Sequence, residues 1–264
     1  RLSTHNSADW PPPRSRASRA RPLVARPWPL AKAPLPDELL SSWLVRNAHA
    51  HGVRPTILAS GMWAAGGPIL DRDLDKAAPD FVFDDMARLT GTSRERAVAT
   101  GLPAYAGTLV AGDVVRGPTQ WVLPIGLRNR DRLGFGLQFC PGCLGADGAP
   151  YFRRSWRLAV TAACGRHGLV LLGRCPDCES AVIPHRSSRP DSCWRCGLKL
   201  RQAEAAVAGE HLLSFQARAE AALARGWTTL GDTVFGYSHL YFALVRQVAK
   251  TLATGPRSAR LREV

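Results

Sequence analysis

The sequence contains no continuous run of about 18 uncharged apolar residues, the length that a membrane-spanning helix requires. Its longest apolar stretch, residues 55–70, is interrupted by glycines. The N-terminal residues also lack an apolar segment followed by a small-residue cleavage site, so the sequence predicts neither membrane insertion nor export. We therefore expect a cytoplasmic protein whose cysteines lie in a reducing compartment.

Lysine and acidic residues are both scarce relative to arginine. The 264 residues include 35 basic residues, only four of them lysines, against 21 acidic residues, which gives a net charge of +14. A chain this basic favours an anionic partner such as nucleic acid. A GC-rich genome produces the same excess of arginine without selection for binding, so the charge by itself does not establish a partner.

Residues 1–33 contain many prolines and arginines and no periodic apolar face. This composition predicts a disordered tail. The tail is either a basic arm that follows a phosphate backbone or a solvated leader, and the sequence leaves both interpretations open.

A helical domain is predicted over residues 34–105. Asp37 is placed to cap a first helix, which Gly52 ends. The apolar face of this helix consists of Leu39, Leu40, Trp43, Leu44 and Ala48. A second short helix follows Pro55, and the acidic stretch of residues 71–80 predicts a connection at the surface.

A helix-turn-helix is predicted inside this domain. Its first helix has an apolar stripe of Phe81, Phe83, Met86 and Leu89. A tight turn at residues 90–92 precedes a second helix over residues 93–101, where Thr92 and Glu95 have the spacing of a capping box. The outward side chains that could contact bases or phosphates are Ser93, Arg94, Arg96 and Thr100. A plain structural or protein-docking module has the same pattern, so DNA reading is one of two interpretations.

Residues 106–139 are predicted to be a connecting segment of short strands or irregular structure. This segment contains a small basic cluster, for which we predict nucleic-acid contacts, formed by Arg128, Arg130 and Arg132. At the other end of the chain, residues 202–264 predict a C-terminal helical region in which Gly226 ends one helix and Ser238 caps the next. The expected core positions of that last helix are Tyr241, Leu244, Val245, Val248 and Leu252.

Every cysteine lies in a metal-ligand spacing within residues 140–201, which we predict to be a tandem zinc-binding module. Three Cys-x-x-Cys pairs and one Cys-x-x-His pair supply two tetrahedral sets, formed by Cys140, Cys143, Cys164, His167, Cys175, Cys178, Cys193 and Cys196. Soft thiolate ligands favour zinc, and four protein ligands leave no position for water. We therefore predict two structural Zn²⁺ ions, with sequential pairing of the knuckles as the simplest arrangement and crossed pairing as the alternative.

The segment between the first two knuckles, residues 149–160, predicts a helix with Phe152, Trp156 and Val160 on one apolar face. Its opposite face would carry three basic residues, which we predict to contact phosphate, namely Arg153, Arg154 and Arg157. A merely solvated face is the alternative.

Several segments occur together in a specific order, namely Pro34-Leu-Pro-Asp-Glu-Leu-Leu-Ser-Ser-Trp-Leu-Val-Arg, Phe139-Cys-Pro-Gly-Cys, Pro150-Tyr-Phe-Arg-Arg-Ser-Trp-Arg and a Cys-x-x-His-Gly knuckle. With this combination the chain resembles the TniQ family of bacterial transposition proteins over about residues 27–225. Through the resemblance, the ligand cysteines and His167 correspond to the zinc knuckles of the family. The tail of residues 1–33 departs from the family pattern.

The resemblance implies a non-catalytic accessory subunit, related to the target selector TnsD, that helps to choose target DNA. Such a subunit recruits an AAA+ ATPase, which in turn brings the transposase, so double-stranded DNA and both proteins are implied partners. In CRISPR-associated transposons, family members also dock on an RNA-guided effector complex, often as dimers. The implied location is the bacterial cytoplasm, with nucleoid association when the protein is on DNA.

These observations together predict a mainly α fold with small β elements, in which an N-terminal helix-turn-helix domain, a tandem zinc-ribbon module and C-terminal helices follow one another. We expect no enzyme, because the P-loop motif of an ATPase is missing and every cysteine is assigned to metal. The alternatives are a zinc-containing helix-turn-helix transcriptional regulator and a nuclease. Whether target DNA is read directly or through a protein partner stays open at this level.

Overall fold

The computed structural model describes residues 27–64, 69–114, 118–125 and 137–254. Across these residues the fold is mainly helical with two small antiparallel sheets, as the sequence predicts. No helix in these ranges is long and apolar enough to cross a membrane.

The N-terminal unit is built from short helices around one apolar core. Their bounds are Leu40–Ala50 (α1), Pro55–Trp63 (α2), Leu74–Ala77 (α3), Asp80–Thr90 (α4) and Arg94–Val98 (α5). The core buries most of the predicted apolar faces of α1 and α4, among them Leu40, Trp43, Leu44, Phe83 and Met86. The predicted core position Phe81 is wrong, because its side chain is 39% exposed. Burial of these faces, rather than intrinsic propensity, stabilises helices this short.

Of the two predicted ends of α1, the C-terminal end is confirmed and the N-terminal end is wrong. Gly52 lies just beyond the C-cap with φ of 66°, a left-handed conformation that glycine adopts without strain, so the predicted stop is confirmed. The predicted N-cap is wrong, because Leu39 occupies that position without a side-chain cap. Asp37 instead turns its carboxylate toward Ser155, whose hydroxyl donates to it at 2.6 Å.

The predicted boundary of the tail at residue 33 is also wrong, because residues 27–33 pack on the N-terminal unit. The backbone N–H of Trp28 donates to the Leu89 carbonyl at 2.7 Å. The carbonyl of Lys32 accepts from Trp43 Nε1 at 2.6 Å. Residues 1–26 lie outside the described ranges.

The acidic stretch of residues 71–80 is not the surface connection that was expected. It contains α3, in which Leu74, Asp75 and Lys76 are buried. The buried Asp75 accepts two hydrogen bonds from Ser41, each at 2.8 Å. Asp75 and the neighbouring Asp73 both accept hydrogen bonds from Arg157, which is described with the candidate site.

The turn between α4 and α5 forms where predicted but is capped differently. Gly91 ends α4 in the left-handed conformation. Ser93, not Thr92, is the N-cap of α5, since its hydroxyl accepts from the Arg96 N–H at 3.3 Å. α5 ends at Val98, and Thr100 is buried and donates to the Ala97 carbonyl, so its predicted outward position is wrong. The helix-turn-helix assignment stays a prediction.

The middle of the chain combines one short helix with a small hairpin. Their bounds are Pro141–Ala146 (α6), Ala163–Cys164 (β1) and Leu169–Val170 (β2). The two strands are antiparallel, with Ala163 opposite Val170. The tight turn between them carries the Cys-x-x-His knuckle.

The helix predicted over residues 149–160 does not form. This segment is irregular and contains a 3₁₀ turn at Ser155–Arg157. Two of its backbone N–H groups bond to the N-terminal unit: Phe152 N–H donates to Ser42 Oγ at 2.9 Å and Arg154 N–H donates to the Asp37 carbonyl at 2.6 Å. A helix over residues 149–160 would need the Arg154 N–H for its own ladder of hydrogen bonds.

The C-terminal region contains two helices joined by a hairpin. Its elements are Glu210–Arg225 (α7), Thr228–Leu230 (β3), Thr233–Phe235 (β4) and Ser238–Thr254 (α8). Gly226 ends α7 with φ of 76°, as predicted. Ser238 begins α8, and its hydroxyl donates to the Thr108 carbonyl at 2.7 Å.

The core positions predicted for α8 are only partly correct. Tyr241 is buried and Val245 packs against the core. The others are exposed, at 41% for Leu244, 49% for Val248 and 53% for Leu252. The apolar pattern of α8 is therefore wider than the face that this fold covers.

Candidate metal centres

The first cluster consists of Cys140, Cys143, Cys164 and His167, whose ligand atoms all lie within 4.8 Å of one another. Cys143 Sγ is 3.3 Å from His167 Nδ1 and 3.5 Å from Cys164 Sγ. Metal–sulfur bonds of about 2.3 Å place tetrahedral ligands roughly 3.8 Å apart, so the spacing suits one ion. α6 and the β1–β2 turn hold the two pairs together.

The second cluster consists of Cys175, Cys178, Cys193 and Cys196, again within 4.8 Å of one another. Cys175 Sγ lies 3.5 Å from Cys196 Sγ, and Cys178 Sγ lies 3.7 Å from Cys193 Sγ. The structure thus groups the knuckles sequentially, and each cluster could hold one metal ion.

Ser180 is a neighbour of the second cluster that the sequence reasoning missed. Its hydroxyl oxygen is 3.1 Å from Cys178 Sγ and 3.3 Å from Cys193 Sγ. A hydroxyl at these distances can donate to a thiolate and orient it. No ligand-spacing pattern contains a serine, so only the fold reveals this contact.

The backbone around the clusters fits a bound ion as well as the side chains do. A Cβ on Gly142 would lie 2.8 Å from His167 Cγ, so only glycine lets the imidazole approach α6. Gly168 and Gly197 follow the second ligand of their knuckles with φ of 63° and 80°. Their N–H groups donate to the carbonyls of Cys164 and Cys193, which closes each knuckle.

The predicted nucleic-acid residues of α5 are all engaged within the protein. Ser93 serves as the helix cap. Arg94 is exposed and pairs with Asp84 at 2.8 Å and with Asp80 at 3.6 Å, both on α4. Arg96 donates to the Pro34 carbonyl at 3.2 Å. Their predicted role in DNA contact is untested by these positions.

Arg153 and Arg154 are half-buried and ion-paired. Arg153 donates to both carboxylate oxygens of Asp147 at 3.0 Å, and its guanidinium lies over the rings of Tyr151 and Trp156 at 4.4 and 4.7 Å. Arg154 pairs with Asp37 at 3.2 Å. Phosphate contact by these two arginines stays a prediction, whereas the remaining cluster of Arg128, Arg130 and Arg132 lies outside the described residues.

The prediction that Arg157 contacts phosphate is wrong, because its side chain is fully buried. Its guanidinium donates to Asp73 at 2.6 and 3.0 Å, to Asp75 at 3.3 Å and to the Leu123 carbonyl at 2.9 Å. Burial raises the pKa of Asp75 to about 6, although the Arg157 guanidinium acts in the opposite direction. We name this set, formed by the buried Arg157 and Asp75 and the partly exposed Asp73, the arginine clamp.

Two sequence segments that lie more than a hundred residues apart are contact partners of each other. Besides the contacts of Asp37 and Ser42 already described, Leu39 N–H donates to the Phe152 carbonyl at 3.0 Å. The backbone of Glu38 forms an isolated antiparallel β-bridge with the backbone of Arg153. The Glu38 carboxylate forms an ion pair with Arg46 at 2.7 Å. The segment at residues 34–46 thus docks the N-terminal unit on residues 152–155, which lie in the sequence between the two knuckles of the first cluster.

The described residues define a helical protein whose N-terminal unit is fastened to a module with two candidate metal centres. The TniQ family model matches residues 29–171, which is more than half of the chain, and the chain belongs to this family. The match spans the docking segment, the arginine clamp and the first cluster, and it ends before the second cluster. No curated protein matches the chain.

Proposed function

We propose that this chain is a non-catalytic accessory protein of bacterial DNA transposition that acts in target-site selection. In this role it recruits an AAA+ ATPase, which brings the transposase to double-stranded target DNA. The observation that carries the proposal is membership of the TniQ family, over a match that includes both contact segments and the first cluster.

Both clusters are proposed to hold structural Zn²⁺ through their eight cysteine and histidine ligands. Three thiolates with one imidazole, and four thiolates, are donor sets that favour zinc over magnesium or calcium. Each ion would have all four positions filled by protein, so it would stabilise the fold and would not activate water.

Recruitment of a protein partner, rather than direct reading of DNA by α5, is the mechanism that we favour within this role. The described arginines that the sequence nominated for DNA contact are engaged with internal acceptors. A guanidinium that already donates to a carboxylate or a carbonyl has fewer free N–H donors for phosphate, which lowers the free energy gained by phosphate contact. An RNA-guided effector complex and a second copy of the chain belong to the same proposal as further partners.

The experiment combines the metal-loaded full chain with the AAA+ ATPase encoded by its own mobile element, after nuclease treatment. We expect a complex that survives size-exclusion chromatography at micromolar concentration without DNA. Failure to form it would contradict the recruitment mechanism. The mass of the free chain in the same run reports whether it dimerises.

A salt titration of duplex binding separates the two mechanisms. If a partner reads the target, Arg94→Ala and Arg96→Ala should leave the affinity for duplex DNA and its salt dependence unchanged. Arg88→Ala, which removes an exposed ion pair on α4, is the matched control. A weaker affinity and a shallower salt slope for the α5 variants alone would identify α5 as a direct reader instead.

A further inference from the structure

The last knuckle of the second cluster presents a fixed aromatic ring at the surface. Trp194 is 39% exposed, although it stands between the ligands Cys193 and Cys196. Its indole Nε1 donates to the Ala181 carbonyl at 3.0 Å, which holds the ring in one orientation. The guanidinium of Arg186 lies 5.6 Å from the ring centroid. An exposed Trp that is already oriented pays little entropy when it binds a planar partner.

Three arginines that lie close to Trp194 in the sequence differ from the arginines predicted earlier to contact nucleic acid. Arg186, Arg189 and Arg195 are exposed, and none of them forms an ion pair with a described residue. The loop that carries the first two is closed by a hydrogen bond of 2.7 Å from Ser187 Oγ to the Ser192 carbonyl. Of the acidic residues in this module, Asp191 is already paired with Arg201 at 3.4 Å.

The charge of the second cluster determines whether electrostatic attraction of phosphate or stacking on Trp194 contributes more to binding. Four thiolates around one Zn²⁺ carry a formal charge of −2, and Asp177 and Glu179 are exposed nearby in the sequence, so these charges offset much of the field of the arginines. Attraction of phosphate by net charge is therefore modest. Stacking of a base on an aromatic ring contributes about 1–3 kcal/mol and depends little on sequence.

We propose that this surface, formed by Trp194, Arg186, Arg189 and Arg195, binds unpaired nucleotides of a single-stranded nucleic acid. Trp194 stacks on a base, Arg186 extends the stack, and the other arginines contact the adjoining phosphates. Bases inside a duplex do not present their faces to a side chain, so the surface discriminates against duplex DNA. The proposal concerns residues beyond the family match and does not depend on the role in transposition.

The test measures anisotropy of short fluorescein-labelled oligothymidine and oligouridine with the metal-loaded full chain. We expect Trp194→Ala to weaken binding about tenfold, because that factor corresponds to the loss of one stacked base. Trp227→Ala is the matched control, since Trp227 is 45% exposed and Arg225 lies 4.9 Å from its ring centroid. This control should bind like the unmodified protein.

Arg195→Glu provides a second variant that acts on the exposed surface and leaves the Trp194 ring in place. It should also weaken binding, with metal content and thermal unfolding unchanged. Trp194-dependent binding of oligothymidine, of oligouridine or of both supports the proposal and identifies DNA or RNA as the source of the nucleotides.

Each of the following results would overturn the proposal: no binding of either oligonucleotide, equal affinity of the Trp194→Ala variant, or an equal loss in the Trp227→Ala control. Efficient displacement by an unlabelled duplex of the same length would also overturn it, since stacking requires unpaired bases. Loss of ATPase recruitment is measured separately, so the two proposals fail independently.

Discussion

Gly142 shows how one residue without a side chain shapes a metal ligand. It lies in α6 between two cysteine ligands, and the His167 imidazole packs against its Cα. Gly145 lies one turn along the same helix, where an added Cβ would meet only Arg201 Cβ at 3.9 Å. The two glycines therefore share a helix but differ in what stands beside them.

Substituting Gly142 by alanine should displace His167 and weaken the first cluster. A contact of 2.8 Å cannot be kept, and relief of such overpacking costs typically 1–3 kcal/mol, so we expect roughly tenfold or greater loss of zinc affinity. Competition with a chromogenic chelator measures it. Gly145→Ala should instead keep the affinity and stabilise the helix by about 0.5–1 kcal/mol. Equal behaviour of the two variants would contradict the packing argument.

Single residues also show where sequence reasoning stops. The ligand spacing nominated the residues that the structure gathers into two clusters, because two ligands two residues apart meet an ion from one turn. The sequence predicted a wrong role for Asp37 and for Arg157 and no role for Ser180. Their functions depend on partners that are distant in sequence, and no local pattern encodes such a partner.

At the scale of elements, the arginine clamp joins α3 to the 3₁₀ turn at Ser155–Arg157. Removing one partner of a buried ion pair typically destabilises the fold by about 3–5 kcal/mol. The arginine clamp therefore fixes the position of α3 relative to the 3₁₀ turn. The prediction that Arg157 lies at the surface was wrong because the local sequence does not show whether a guanidinium will pair with distant carboxylates or face solvent.

The clamp predicts a pH dependence with a definite sign. In the folded chain the pKa of Asp75 is about 6, whereas an Asp in the unfolded chain has an ordinary pKa of about 3.9. Between about pH 4 and 6, Asp75 therefore binds a proton in the folded chain and has released it in the unfolded chain. Through Asp75 the free energy of unfolding therefore falls as the pH rises across this window and stays level above it.

Urea unfolding of the unmodified protein and of Asp75→Asn across this pH range measures the effect. The difference between them should change by about 2–3 kcal/mol from pH 4 to 6, because each pKa unit corresponds to about 1.36 kcal/mol. Taking the difference removes the contribution of groups common to both proteins. A difference independent of pH would mean that folding does not raise the pKa of Asp75.

At the scale of the whole molecule, the described residues contain two apolar cores with different dependence on metal. One core includes cysteine ligands of both clusters, together with Phe139, Phe152, Trp156 and residues of α7 and α8. The other core contains no cysteine and is formed by α1, α2, α4 and their neighbours.

Chelation should therefore unfold the molecule in parts. With metal removed, we expect fast amide hydrogen exchange at residues 140–202, while α1 and α4 keep slower exchange because their core has no ligand. Adding Zn²⁺ should restore protection and adding Mg²⁺ should not. Simultaneous loss of protection in α1 and α4 would show instead that the clamp and the docking segment make one cooperative unit.

The sequence by itself determined the features that depend on neighbours along the chain. These are the helical class, the stops at Gly52 and Gly226, the turn at residues 90–92 and the ligand pairs, since ligand spacing and left-handed turns are local properties. Only the tertiary structure decided the irregular form of residues 149–160, the partners of Asp37 and Arg157, and the exposure of Trp194. Those outcomes depend on which distant carboxylates and backbone groups compete for the same donors, and that competition is settled only when the chain has folded.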